Sequence, residues 1–201
     1  MVRGKNDIED RRFAILEAAY SLFGQQGYVH TSIKQIAQEA GVGHGLILHH
    51  FGTKEGLLIE VVREWIVNRG LVEVFEDVKK AEDSDDLMRM AIEHVANFRN
   101  ENQGWFTLML SLWLEARRNP ALSKTLEEIY MAMRETIKEL LHRWSSDWST
   151  DQLETYATLI LALIDGLTLQ FSRNPGDQIV TLGTIGISTL LEGKQKGVDP
   201  N

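Results

Sequence analysis

Apolar residues recur along this chain at spacings of three and four, and no sustained stretch alternates with period two. That is the pattern of amphipathic helices rather than strands. The first stripe, Ile8, Ile15, Ala18, Ala19, Leu22 and Phe23, predicts a helix over about 7–26 that stops at Gly27. A second short stripe, Ile33, Ile36, Ala37 and Ala40, ends at Gly41. Thr31 or Ser32 is placed to cap it, and Ser32 with Gln35 has the spacing of a capping box. A third helix is predicted over about 43–50, and a fourth from Lys54 past Trp65 with Thr53 as N-cap. Beyond the polar run KKAEDSDD, helical spacing returns over about 85–100, 104–118, 121–144, 151–172 and 177–192. Asn119-Pro120 and Asn174-Pro175-Gly176 are the sharpest breaks. The expectation is an all-α protein of about nine helices, with residues 193–201 as a disordered tail.

Composition narrows the chemistry. With 201 residues, 43% of them hydrophobic, the chain can bury a substantial core. It has no cysteine, which removes disulfides, thiolate metal sites and a cysteine nucleophile. MVRGKNDIEDRR has no apolar leader segment, and LILALIDGLTLQF is too short to span a bilayer, so a cytoplasmic location is expected. The net charge of −8 is unevenly placed. Residues 1–56 hold six Lys/Arg and six Asp/Glu, whereas the remainder holds fifteen and twenty-three. A neutral N-terminal segment with local basic groups can approach DNA while an acidic body discourages indiscriminate binding.

The segment GVGHGLILHHFGTKEGL concentrates the distinctive chemistry. His44, His49 and His50 suggest a metal, but their spacing is wrong for one helical face: His44 and His49 are five apart, and His49 and His50 diverge. Gly41, Gly43 and Gly45 suggest a phosphate loop, but a helical pattern precedes them and the later glycine is missing. A helix that stops at Gly41, a tight turn and an immediate short helix form a helix-turn-helix. Ala37 allows close approach, and Val42 fills the space under the turn. Ile47 and Phe51 anchor the third helix to the first, leaving Gly43, His44, Leu46, Leu48, His49 and His50 on the open side.

From Arg12 to about residue 60 the chain resembles the DNA-binding domain of the TetR family of bacterial transcriptional regulators. The resemblance is carried by an aromatic residue before a glycine, Thr31, Ile36-Ala37, Ala40-Gly41-Val42, Gly45, His49, Phe51 and Lys54-Glu55. It implies a DNA-binding domain over 8–60, with the third helix in the major groove. The residues then expected at DNA are Thr31, Ser32, Gly43, His44, Gly45, Leu46, Leu48, His49, His50 and Lys54. Thr31, Ser32 and Lys54 would meet phosphate at helix N-termini. Leu48 stands where the family often has tyrosine, and Leu46 where a small polar residue is common. An apolar side chain at Leu46 suits a thymine methyl.

The resemblance also implies a helical effector-binding and dimerisation domain over 61–192. Residues 156–171 are apolar on most faces and so must be buried on most faces. Tyr156, Ile160, Leu163 and Leu167, with Ile179, Leu182, Gly183, Gly186 and Leu190, are expected in a four-helix interface between two subunits. Candidate effector contacts are Trp65, His94, Phe98, Trp105, Phe106, Met109, Trp113, Tyr130 and Asp165. Asp165 and Glu115 intrude into apolar helices, and a backbone group or Arg117 or Arg118 is the expected partner of each. No nucleophile–base spacing or cofactor fingerprint is found, so neither an enzyme nor a cofactor is expected. The expected partners are a double-stranded operator, a small-molecule effector and a second copy of the chain, and no membrane. The expected function is a ligand-responsive repressor that reads a palindromic operator as a homodimer. A ligand-independent or activating regulator is the alternative.

Overall fold

A computed structural model describes residues 3–71, 80, 84–102, 104–144, 146–171 and 176–195. Among the described residues are nine α-helices and no strand: α1 (Arg3–Gln26), α2 (Ile33–Glu39), α3 (His44–Phe51), α4 (Lys54–Val62), α5 (Ser84–Glu101), α6 (Trp105–Ala116), α7 (Pro120–Trp144), α8 (Thr150–Gln170) and α9 (Gly176–Gln195). The expected tail begins later than residue 193, because α9 continues through Gln195; residues 196–201 lie outside the described residues.

Local chemistry sets the helix ends. Gly27, at φ +81°, donates its N–H to the Phe23 carbonyl and closes α1. Ser32 caps α2, and its hydroxyl and the Gln35 side chain satisfy each other's backbone N–H groups. At the other end of α2, the Val42 N–H reaches the Ala37 carbonyl (2.9 Å) and the Gly41 N–H the Gln38 carbonyl (3.3 Å). This is a Schellman closure, and Gly41 supplies the left-handed φ of +65° that it requires. Asn119 caps α7 through its side-chain oxygen, with Pro120 at the first helical position. Ser149 and Gln152 form the expected capping box of α8.

The chain divides into two compact units that do not follow a boundary at residue 60. One unit holds residues 1–69 and 102–129; the other holds 70–101 and 130–201. In the first, Ile15, Leu16, Ala19 and Phe23 of α1 pack with Ile36 of α2, Ile47 of α3 and Leu57, Leu58 and Val61 of α4, all essentially without solvent exposure. Leu108 and Leu112 place α6 in the same core, against α1 and α4. Burying each of these leucine, isoleucine, valine or phenylalanine side chains contributes about 1.5–3 kcal/mol. After Val62 the helix widens into a π-helix, Arg63–Leu71. Its wider turn lets Arg69 pair with Glu64, five residues back, at 3.3 Å. The Arg69 guanidinium also lies 4.9 Å from the Trp65 ring centre and 5.0 Å from that of Phe13.

In the second unit, Leu141, Trp148, Tyr156, Ala157, Ile160, Ile187 and Leu191 form a core from α7, α8 and α9. Trp148 meets Trp144 and Tyr156 edge-on, at 5.8 and 4.8 Å. Arg134 and Lys138 of α7 share Glu154 of α8 at 3.2 and 3.1 Å.

Gly41 and Gly45 should respond oppositely to alanine. A Cβ meets nothing within 4 Å at either position, but only Gly41 has a positive φ. Gly41→Ala should cost about 1–2 kcal/mol and lower Tm by ~2–4 °C per kcal/mol. Gly45→Ala should stabilise α3 by up to ~1 kcal/mol and raise Tm. Calorimetry of the two variants checks the pair.

Candidate nucleic-acid interface

The rotation of α3 about its own axis decides what it presents. Ile47 and Phe51, four residues apart, are buried and fix its inner face. The opposite face is therefore centred on Gly45 and His49, with Leu46 and Leu48 flanking it. His44, Gly45, Leu48 and His49 are exposed, as is Gly43 at the N-cap; Leu46 and His50 are half-buried. The His50 ring lies between those of His49 (5.5 Å) and Phe51 (5.9 Å), which limits how far it can swing outward. Arg12 of α1 sits 5.5 Å from the Phe51 ring centre and pairs with Glu60 of α4, so one guanidinium links α1, α3 and α4. Of the side expected to be open, Gly43, His44, Leu48 and His49 are exposed, whereas Leu46 and His50 are half-buried.

Thr31 is placed differently from its expected surface position. It is 2% exposed. Its hydroxyl donates to the Gly27 carbonyl at 2.8 Å, and Gln26 donates to it at 3.2 Å. A buried hydroxyl needs such partners, and here they staple the loop between α1 and α2. Ser32, the next residue, remains exposed at the start of α2.

Lys54 begins α4 with its ammonium 4.1 Å from the centre of the Tyr28 ring. Burial lowers its pKa, while Glu55 and Glu115 oppose the shift. Burial and the neighbouring Glu55 carboxylate, to which its hydroxyl is bonded, raise the pKa of Tyr28. Backbone N–H donation at the start of α4 holds Glu55 low, helped by Thr53 and Tyr28. The role of Tyr28 as a platform for Lys54 is not legible in the sequence, because twenty-six positions separate them and no periodicity relates them.

The effector candidates fall into both units. Trp105 and Met109 are buried in the first, and Phe106 and Trp113 are half-buried. Trp65 is buried with its ring stacked on Tyr20 at 4.5 Å and covered by Arg69, so its faces are already engaged. Burial pushes the Tyr20 hydroxyl up to about 12. In the second unit His94 and Phe98 are half-buried on α5. Asp165 accepts a hydrogen bond from the Tyr130 hydroxyl at 2.8 Å, rather than from a backbone group or an arginine. Glu115 acts electrostatically on Tyr28 and Lys54.

The interface candidates also separate. Tyr156, Ile160, Leu167 and Gly183 are buried within this chain, and Leu163 and Leu190 pack partly buried against the same core. Gly186 lets α9 approach Leu163 of α8 so closely that a Cβ there would lie 2.6 Å from its Cδ2. Leu182 is outward, and the side chain of Ile179 lies outside the described residues. Among the described residues, the large apolar side chains exposed on α8 and α9 are Leu159, Leu169, Leu182 and Ile185. A helix apolar on most faces serves both an inner and an outer surface, and the sequence alone does not assign residues between them.

A short exposed helix, held by two buried anchors after a Schellman turn, defines a helix-turn-helix protein. The chain belongs to the TetR family of bacterial regulatory proteins: residues 15–61 match the family's N-terminal model, and residues 84–185 match the C-terminal model of BetI-type transcriptional repressors. It is similar to the HTH-type transcriptional regulator BetI of Vibrio campbellii, with 31% identity over 170 residues and 83% of each chain covered. Its fold is similar to that of FadR from Bacillus subtilis, a structure solved with stearoyl-CoA (TM-score 0.75, 21% identity, 90% of this chain and 98% of that one). It is also similar to that of a putative transcriptional regulator from Saccharomonospora viridis, solved with choline (TM-score 0.74, 22% identity, 90% and 95%). The family consists of transcriptional regulators, typically repressors, and not of enzymes. No helix among the described residues is long and apolar enough to cross a membrane.

The Asp165–Tyr130 pair has a definite pH signature. Burial raises the Asp165 pKa, and the Tyr130 hydrogen bond opposes this only in part. The folded state therefore holds this proton more tightly than the unfolded state. The associated stability is full below the ordinary aspartate range and is lost as pH rises through the raised value. Asp165→Asn, which keeps an acceptor for Tyr130, should raise Tm more at pH 7 than at pH 4. Equal shifts at the two pH values would contradict this reading.

Proposed function

We propose that this chain is a ligand-responsive repressor that binds a palindromic operator as a homodimer and releases it when a small molecule binds. The observation that carries the reading is the orientation of α3: Ile47 and Phe51 turn inward, His44, Gly45, Leu48 and His49 turn outward, and Leu46 lies half-buried at the edge of that face. In this reading α3 lies in the major groove, with Leu46 and Leu48 offering apolar contact to thymine methyls and His44 and His49 polar contact to base edges or phosphate. Gly43 at the N-cap lets the backbone come close to DNA. His50 supports the face from behind His49. Ser32 and Lys54 meet phosphate at the starts of α2 and α4, where free N–H groups and the helix dipole favour anions. Thr31 contributes indirectly by fixing the loop that positions Ser32.

Two copies would meet through the outward positions Leu159, Leu169, Leu182 and Ile185 of α8 and α9. Exposed leucine and isoleucine side chains concentrated on two helices of one unit support this. Two-fold pairing presents two α3 helices to half-sites about 34–36 Å apart. Ligand response is supported by the two similar folds that were solved with small molecules. Within the second unit, the half-buried Tyr130–Asp165 pair offers an effector a polar group.

Quantitative mobility shifts on the DNA upstream of the protein's own reading frame test the reading. The log of affinity should fall linearly with log salt, by about 0.9 per phosphate contact. Lys54→Ala should weaken binding by a similar factor on all sequences, whereas Leu46→Ala should alter sequence preference by ~1–3 kcal/mol at one base pair. Ile185→Asp with Leu182→Asp should give a monomer by ultracentrifugation and abolish cooperative binding to both half-sites. Retention of wild-type affinity and preference by both α3–α4 variants would overturn the docking.

A further inference from the structure

In this acidic chain several described cations face carboxylates. Arg12 and Arg63 pair with Glu60, Arg69 with Glu64, Arg89 with Asp86 and Glu93, and Arg134 and Lys138 with Glu154. Arg117 and Arg118, like Arg11, Lys34 and Arg143, have no such ion pair among the described residues, and these two are adjacent. Both are exposed, at the C-terminal end of α6, and neither has a carboxylate within ion-pair distance among the described residues. With Leu114 and Glu115 they line an open groove of about 600 Å³. Leu114 is 58% exposed, so an apolar stem and two guanidinium groups face solvent together.

Their position is informative. Glu115, in the same groove, acts on the Lys54 ammonium and on Tyr28, and α6 packs against α1 and α4 in one compact unit. The groove is thus a neighbour of the start of α4. That unit carries eleven Lys/Arg and eleven Asp/Glu, so the whole −8 belongs to the other unit. In a neutral unit where Arg12, Arg63 and Arg69 are paired with carboxylates, two adjacent guanidinium groups with no ion pair among the described residues make a local positive field. Planar guanidinium forks match phosphate geometry in two-point contact.

We propose that Arg117 and Arg118 form a second phosphate contact outside the helix-turn-helix, gripping the DNA backbone that flanks the bases read by α3. The assignment rests on the DNA-binding reading and extends it to a helix of the effector-binding segment. It gives α6 a direct hold on DNA, so that any displacement of α6 relieves that hold without first repacking α2 and α3. Glu115 serves as a counter-charge that keeps the neighbouring Lys54 and the two arginines from binding anions indiscriminately. The competing use of these cations is to interact with the C-terminal dipole of α6, which would stabilise the fold and leave DNA binding untouched.

The experiment measures full-length protein on a 40-base-pair random-sequence duplex and on the upstream fragment, by fluorescence anisotropy across a salt series. Arg117→Gln with Arg118→Gln should weaken binding to both duplexes by the same factor, roughly tenfold, and reduce the salt slope by about 1.8, with Tm unchanged. The double lysine variant should keep most of the slope. Arg143→Gln, which removes another exposed cation with no carboxylate partner among the described residues, should change neither duplex. A wild-type slope in the double glutamine variant would overturn the proposal, as would a loss confined to Tm. If Lys54→Ala weakens binding and the arginine variant does not, only this inference fails. If wild-type protein binds neither duplex in a salt-dependent way, the DNA-binding reading falls with it.

Discussion

The arrangement depends on the burial of Ile47 and Phe51 immediately after a glycine-dependent turn. An eight-residue helix is too short to be stable in isolation, so its rotation and position are set by what it buries. Two anchors one turn apart allow one rotation, and that rotation leaves His44, Gly45, Leu48 and His49 outside. Gly41 makes the geometry attainable, since the Schellman closure places a left-handed residue between α2 and α3. Arg12 then joins Phe51 and Glu60, and α3, α1 and α4 act as one packed body. The nine-residue π-helix after Val62 and the Tyr20–Trp65–Arg69 stack extend that body.

The local parts of this fold were legible in the sequence. Helix spacing, capping boxes at Ser32 and Ser149 and the stop at Gly41 all depend on residues within four or five positions of one another, and each appears as read. The open face of α3 was legible for the same reason, because the apolar period places Ile47 and Phe51 together. What was hidden is tertiary. Thr31 looks like a surface cap, and only the fold shows the carbonyl of Gly27 and the amide of Gln26 around it. Tyr28 becomes a seat for Lys54 through packing that no periodicity encodes. In α8, apolar residues occur on several faces, so burial within the chain and an outward surface look alike until the structure separates Ile160 from Leu159.

Charge placement follows the same division of labour. The unit that contains α3 is balanced overall; Glu60, Glu64 and Glu128 pair with arginines inside it, and Ser32, Arg117 and Arg118 are exposed at its surface. The other unit carries the negative excess. In salt water such a pattern acts over about a Debye length, so the balanced unit can approach a polyanion while the acidic one keeps the chain from coating it. The family places the chain among transcriptional regulators, and this distribution gives that role a physical basis in the chain itself.

Photo-crosslinking tests the orientation of α3 most directly. p-Benzoylphenylalanine is placed singly at Leu46, His49 or Ile185 of the full-length chain, which is then irradiated on labelled upstream duplex. Crosslinks to DNA from positions 46 and 49, and none from 185, are the predicted result. Crosslinking from 185 with none from 46 or 49 would show that the molecule meets DNA by another surface.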